Sequence, residues 1–433
     1  MSNLRVGYSA KFFKHIPSDW GLIELKKLVK PDRKITYGIV QPGQYAPNGI
    51  LLIRGQDYMT GWAERGSFFK VSPALHQKFK RSTTRSGDVL ISIAGYTGTV
   101  AVVPSWIQEA NLTQTTARIC CKPDLMDGLY LSYFLQSDDG KLQSKRYTKG
   151  SAQEGLNLED VEKFLISVPP LPEQQKIATI LSSVDDVIEK IRAQIDKLKD
   201  LKTGMMQELL TKGIGHTEFK DSPVGRIPAE WEVVTLEQIC DPNAPITYGV
   251  LKPGNYVDGG RPLLQIKDLG EGTILAGGLH LIDDDLDYEY RRSRVQFGDI
   301  VISLVGTIGR TAMIPCWLNQ PNIHRNLGRI RTRHNQYVFQ FLQSESAKLQ
   351  LGLTSAGSSQ SALNLSALRQ MSLPLPSPDE AQEITRILSS VDERIKVTTS
   401  RLNQLNNVKR ALMQDLLTGK VRVKLTSKEP AAS

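Results

Sequence analysis

One stretch of this chain constrains its fold more than any other. It runs LPEQQKIATILSSVDDVIEKIRAQIDKLKDLKTGMMQELLTK from Leu171 to Lys212. Ile177, Val184, Ile191, Leu198 and Met205 recur every seven residues. Leu181, Ile188, Ile195 and Leu209 stand four after members of that row, and Lys202 alone interrupts the second row. A strict period of seven over about five heptads is the a/d seam of a coiled coil, narrower than the 3.6-residue stripe of a helix lying on a large core. Pro172 and Glu173 suit the first turn, and Gly213 can stop the helix.

The pattern returns 207 residues later. Ile384, Val391, Leu405 and Leu412 fall in one row, with Thr398 in the odd place. Leu388, Ile395, Leu402 and Leu416 form the other, and Lys409 stands where Lys202 stood. Ser377 to Glu380 reads as a capped helix start, with Gly419 as its stop. Two matched narrow seams are most simply buried on each other. The plainer alternative packs each helix on its own domain. The two lysines either fix register or leave room for a partner.

The rest of the chain is also written twice. ITYGIVQPGQY from Ile35 matches ITYGVLKPGNY from Ile246 at 7 of 11 positions. GDVLISIAGYTGTVAVVP from Gly87 matches GDIVISLVGTIGRTAMIP from Gly298 at 8 of 18. The short apolar runs Val89–Ile93 and Ile300–Leu304 read as strands, and Leu129–Leu142 and Tyr337–Leu349 as helices. The fold class expected is a mixed α/β (α+β) domain in two tandem copies, separated by two long helices that form an antiparallel coiled coil. The divisions are 1–170, a central helix 171–215, a second domain 216–377, a distal helix 378–420 and a basic tail 421–433.

Charge is distributed unevenly. Lys and Arg exceed Asp and Glu by 7 over residues 1–170, whereas residues 171–212 and 378–418 are neutral and residues 213–377 carry −1. The helices are therefore not a polyanion-binding surface. The run Arg291, Arg292, Arg294, Arg325, Arg329, Arg331 and Arg333 leaves a basic face open in the second copy, against the plain alternative of solvated charge. No apolar run reaches about eighteen residues, so no membrane span is expected. Cys120, Cys121, Cys240 and Cys316 lack paired spacing, which predicts reduced thiols and a cytoplasmic protein.

Catalytic signatures are missing from the sequence. It has no phosphate-binding Walker loop, no H-E-x-x-H, no cysteine pair with metal spacing and no Asp/Asn-Pro-Pro-Tyr/Phe tetrad of an amino-methyltransferase. No cofactor is expected on this chain.

Five stretches carry a resemblance. They are IPSDW from Ile16 and IPAEW from Ile227, VPPLPEQQKI from Val168, LLTKGI from Leu209, and LLTGKVRV from Leu416. Together they resemble the specificity subunit of type I restriction–modification systems, the HsdS family, over nearly the whole chain. The second helix start, LPSPDE from Leu375, departs from the PLPEQ form. The resemblance implies a non-catalytic subunit with two target-recognition domains, each reading one half of a split double-stranded DNA site. It implies helices that set the half-site spacing and dock the methyltransferase subunits. It also implies two such partners, with S-adenosylmethionine, and motor-nuclease subunits with ATP and Mg²⁺. About 40 helical residues span roughly 60 Å, against about 34–36 Å for one DNA turn. The rival is a coiled-coil scaffold without DNA readout.

Three places in each copy are expected to meet DNA. The first is the glycine turn after the central apolar run, with Tyr96 and Thr97, then Thr307 and Arg310. The second is the polar run with Gln114 and Thr115, then His324, Arg325 and Asn326. The third is Lys149 with Ser151, then Ser358 and Ser359. Arg54, Gln56 and Lys267 are further candidates. A tight turn or an ordinary loop is the plain alternative at each.

Overall fold

The computed structural model describes residues 16–149, 155–355 and 362–425. The chain divides into two compact units, Met1–Arg192 with Arg401–Ser433, and Ala193–Ser400. The long helices span Leu171–Lys212 and Pro378–Leu417. Each unit therefore holds one globular domain, the opening half of the helix that follows it, and the closing half of the other helix.

In the first unit a four-stranded antiparallel sheet runs in the order Thr36–Tyr37, Thr116–Ile119, Val89–Ser92, Val100–Val102. A three-stranded sheet has Ile50–Ile53 between Phe69–Val71 and Asn111–Leu112, the last pair parallel. Gly21–Glu24 pairs with Leu165–Val168. The second unit repeats this plan. Thr247–Tyr248, Leu327–Ile330, Ile300–Ser303 and Thr311–Met313 form its larger sheet. His280–Ile282, Arg261–Leu264 and Asn322–Ile323 form the smaller, and Glu232–Thr235 pairs with Ser372–Leu375. A hairpin there pairs Phe219–Ser222 with Gly225–Pro228.

Val89–Ser92 and Ile300–Ser303 are central strands buried on both faces, which is why they read as unbroken apolar runs. The aspartate before each is buried in an ion pair, Asp88 with Arg33 at 2.7 Å and Asp299 with Arg331 at 2.6 Å. The single helices expected over Leu129–Leu142 and Tyr337–Leu349 are each two, Gly128–Gln136 with Asp138–Tyr147 and Asn335–Gln343 with Glu345–Ser355. Serine breaks both. Ser137 Oγ donates to the Phe134 carbonyl at 2.6 Å and accepts from Gly140 N, and Ser344 Oγ accepts from Ala347 N. A serine hydroxyl competes for the backbone groups that would have continued the helix.

The ends of the heptad seam do not lie on a partner helix alone. Ile177, Leu181, Leu416 and Leu417 belong to the core of the first domain, with Trp20, Tyr130 and Phe164. Met206, Leu210, Ile384 and Leu388 belong to that of the second, with Trp231, Tyr337 and Phe341. Farther in, Ile188, Ile191, Ile195 and Val391 are buried, while Val184, Leu198, Leu405 and Leu412 are half-buried. Both ways of burying the seam are thus used. In each unit the opening turns of one helix face the closing turns of the other, so the two segments run antiparallel.

The seam lysines fix this register. Lys409 Nζ meets Asp185 Oδ1 at 2.6 Å, and Tyr133 OH donates to the other oxygen of Asp185 at 2.7 Å. Lys202 Nζ meets Asp392 Oδ1 at 2.7 Å, and Gln340 Nε2 donates to Asp392 Oδ2 at 2.9 Å. Asp185 and Asp392 close the two LSSVD repeats, so each lysine reads the other helix's copy. A long polar side chain in an apolar seam tolerates one register, because a slip would strand the charge.

The helix starts are latched as well. Glu173, 3% exposed, accepts from the Trp20 indole at 3.2 Å and from Arg422 Nε at 2.8 Å. Arg422 also forks onto Asp19, and the two carboxylates raise its pKa while it lowers that of Asp19. Glu380 repeats the arrangement, accepting from the Trp231 indole at 2.9 Å, from Ile214 N and from His216 Nε2. The cation or ring comes each time from the segment just past the end of the other long helix. Gly213 and Gly419 make that possible. Both are left-handed (φ +64° and +71°), and an added Cβ would fall 2.5 Å from Glu380 Oε1 and 2.4 Å from Pro17 Cγ.

The departure at the second helix start has a cost. Gln174 is buried and bonds the Leu125 and Pro169 carbonyls and Asp127 N. Ala381 at the matching position makes only an apolar contact with the core. Replacing Glu173 with alanine leaves the Trp20 indole and one face of Arg422 unpaired. It is expected to cost about 2–3 kcal/mol in urea unfolding, and Glu380→Ala a similar amount.

Candidate nucleic-acid interface

In each domain four strand ends meet around one short turn. In the first, Thr113 N donates to the Ile53 carbonyl at 3.2 Å, Gln114 N to Ile39 at 2.9 Å, and Ile93 N to Thr115 at 2.8 Å. In the second, His324 N donates to Leu264 at 2.9 Å, Arg325 N to Val250 at 2.9 Å, and Leu304 N to Asn326 at 2.8 Å. These are the same three bonds, 211 residues apart. The turn therefore has a fixed backbone and a side chain at its tip, Gln114 or Arg325, that is exposed.

Glycine permits this convergence. An added Cβ on Gly38 would lie 1.8 Å from the Leu112 carbonyl oxygen, and one on Gly249 1.6 Å from that of Ile323. Only a residue without a Cβ lets the ITYG strand lie so close to its neighbour. A buried arginine fixes the start of that strand. Arg118 donates to the carbonyls of Lys34, Arg81 and Thr83, and Arg329 to those of Pro245, Arg292 and Arg294. Burial lowers the pKa of both.

The first domain brings five expected residues together. Arg54, Gln56, Tyr96, Gln114 and Thr115 line one open cleft of about 310 Å³, with Val40 and Pro42 from the ITYG loop. Arg54 is held there by Asp57, which accepts from Nη2 at 2.8 Å and Nε at 3.1 Å and raises the guanidinium pKa. In the second domain Gln265 replaces Arg54, and Lys267, Thr307, Arg325 and Asn326 stand where Gln56, Tyr96, Gln114 and Thr115 stand in the first. Lys267, Thr307 and Arg325 are exposed.

The other expected residues lie elsewhere. Thr97 faces a different and larger cleft, shared with Gln136, Ser144 and Met413. Arg310 occupies the position of Thr99, which lines that same larger cleft, so its register places it away from the turn. Lys149 is paired with Asp160 at 2.9 Å and, with Lys163, lowers the Asp160 pKa, while its backbone exchanges two hydrogen bonds with Gly155. That pairing closes a loop instead of offering a free cation. Ser151, Ser358 and Ser359 lie outside the described residues. Three of the seven arginines of the second copy's run are structural, since Arg294 pairs with Asp287, Arg331 with Asp299, and Arg329 is buried under carbonyls, whereas Arg291, Arg292, Arg325 and Arg333 are exposed. What the sequence reading missed is the ITYG loop itself. Its signal was identity between copies at positions that the core does not need.

Among the described residues, no group of three or more His, Cys, Asp and Glu can hold a metal ion, and no helix is long and apolar enough to cross a membrane.

His324 accepts from Asn326 N through Nδ1 at 3.3 Å, which requires the neutral ring with its proton on Nε2. Burial, then Arg325 and His280, lower its pKa. The folded chain thus binds this proton less tightly than the unfolded chain, where histidine titrates near about 6.5. Its contribution to stability is complete above that pH and is lost as pH falls through the lower folded value. An NMR titration should place the ring below about 6.5, and His324→Gln should lose less stability than the parent on acidification.

Duplicated domains that share a backbone and differ at the exposed tip define a two-headed recognition protein. The chain belongs to the type I restriction–modification DNA specificity family, whose domain matches residues 18–200 and again 228–407. With two such domains it is a specificity subunit of a type I restriction–modification system. It is 32% identical over 327 residues to the type I restriction enzyme MjaVIII specificity subunit of Methanocaldococcus jannaschii, covering 73% of this chain and 76% of that one. It is 31% identical to the putative MjaX specificity subunit of the same organism, covering 94% and 95%. The EcoBI specificity subunit of Escherichia coli is 25% identical over 75% and 72%. Among solved structures, the S subunit from M. genitalium superposes with a TM-score of 0.56 at 14% identity, over 95% and 98% of the two chains. A chain from a study of complex assembly and conformational transition of the type I R-M system gives 0.54 at 19%, over 94% and 100%. These two likenesses bear on the fold.

Proposed function

We propose that each domain presents its turn to one half of a two-part double-stranded DNA sequence, and that the long helices set the spacing between the halves. The observation that carries this reading is the pairing of an identical backbone scaffold with different exposed side chains. Gln114 faces Arg325, Tyr96 faces Thr307, Gln56 faces Lys267 and Arg54 faces Gln265 at matched positions. Two readers of different sequences need different donors and acceptors at base edges but the same approach to the duplex. Arginine suits guanine and glutamine suits adenine, each through two hydrogen bonds.

In this reading the chain is non-catalytic and acts in the cytoplasm. It docks two methyltransferase subunits, which carry S-adenosylmethionine, and it joins motor-nuclease subunits, which use ATP and Mg²⁺. The basic balance of residues 1–170 supports contact with a polyanion. The scaffold alternative gains no support from a family that is defined by DNA specificity.

Mapping N6-methyladenine in cells that carry the whole system is the test. A split motif is expected. Exchange of residues 16–168 for the first domain of another member should change one half of that motif and leave the other unchanged. A continuous motif, or a change in both halves, contradicts the reading.

A further inference from the structure

The turn differs between the copies, but the loop that seats it does not. ITYG-x-x-x-PG-x-Y has the same residue in both copies at seven positions. Three of these have a structural account. Ile35 and Ile246 are buried in the core, and Gly38 and Gly249 permit the close backbone contact. Gly43 and Gly254 take left-handed φ of +72° and +69°.

Tyr45 and Tyr256 set their rings edge-on to Phe69 and His280, but the first tyrosine of each loop has no such account. Tyr37 and Tyr248 are 44% and 46% exposed. Val40 and Leu251, chemically alike, are 49% and 44% exposed. Large apolar side chains kept in the open at matched places in both copies contribute little to the core. Val40 also lines the cleft that holds Arg54, Gln56, Tyr96 and Gln114. The apolar surface is therefore continuous with the variable polar residues. Residues 34–45 and 245–256 contain no carboxylate, in a chain with 45 of them, so nothing on either loop repels phosphate.

We propose that Tyr37 with Val40, and Tyr248 with Leu251, make a sequence-independent apolar contact with DNA beside each turn, against the deoxyribose sugars, while the turn reads the bases. This rests on the DNA-reading function proposed above. A contact made in both half-sites cannot discriminate between bases that differ, and side chains common to both copies suit that task. Aromatic and aliphatic groups serve it because the sugar of every nucleotide offers an apolar edge whatever its base.

The test uses the chain in complex with its methyltransferase subunits, a duplex bearing the mapped motif, and a scrambled duplex. The variants are Tyr37→Ser with Val40→Ser, and Tyr248→Ser with Leu251→Ser. Unchanged thermal unfolding shows that they fold. Affinity for both duplexes should fall about tenfold with the methylated motif unaltered. Relaxed preference at a single base pair overturns the proposal, because the loop would then be reading sequence. Weakened assembly with the methyltransferase subunits at unchanged DNA affinity overturns it in favour of a protein-docking face. No change in either also overturns it. A parent complex that binds neither duplex instead defeats the DNA-reading function itself, a result distinct from these.

Discussion

A buried carboxylate at the start of each long helix organises this fold. Glu173 and Glu380 each accept from a tryptophan of the adjacent domain and from a group beyond the end of the other helix. Burying a carboxylate is costly unless it is fully paired, so its partners have to be in place together. The consequence is crossed construction. No domain is complete within its own contiguous stretch of sequence, because the first core takes Leu416 and Leu417 from the second helix and the second takes Met206 and Leu210 from the first. The lysine pairs at Asp185 and Asp392 repeat the constraint one step along, where the seam leaves the cores.

That constraint leaves the opposite demand to the loops. The Glu and Trp of each latch and the Lys–Asp pairs of the register are the same in both copies, since they answer to the same geometry. The tips of the turns are free of it. Gln114 and Arg325 take part in the fold only through their backbone N–H groups, so their side chains are available to differ. A recognition subunit needs this separation, with constant parts that position and variable parts that discriminate.

Much of this was legible in the sequence. The heptads gave the long helices because a seven-residue period has few other meanings, and the offset of 211 exposed the duplication. The IPxxW and PEQ motifs were visible as markers, but their chemistry was not. Trp20 and Glu173 are 153 residues apart, and periodicity says nothing about contacts at that range. The breaks at Ser137 and Ser344 were missed because serine is also tolerated inside helices, and residue type does not say which backbone N–H its hydroxyl will cap. Composition misled at the arginine run, since a buried arginine capped by carbonyls, such as Arg329, reads the same as a solvated one. At the site, Gln114 and Arg325 were picked out by their difference between copies, Thr97 by its place in a glycine turn, and Lys149 by a stretch shared between copies.

Hydrogen exchange on a chain ending at residue 400 tests the crossed construction most directly. The deletion removes Leu416, Leu417 and Arg422 from the first unit and nothing from the second, which is Ala193–Ser400. Amides of Gly21–Glu24 and Leu165–Val168 should lose protection, while those of Glu232–Thr235 and Ser372–Leu375 keep it. Equal protection in the first pair with and without residues 401–433, or equal loss in both pairs, would contradict it.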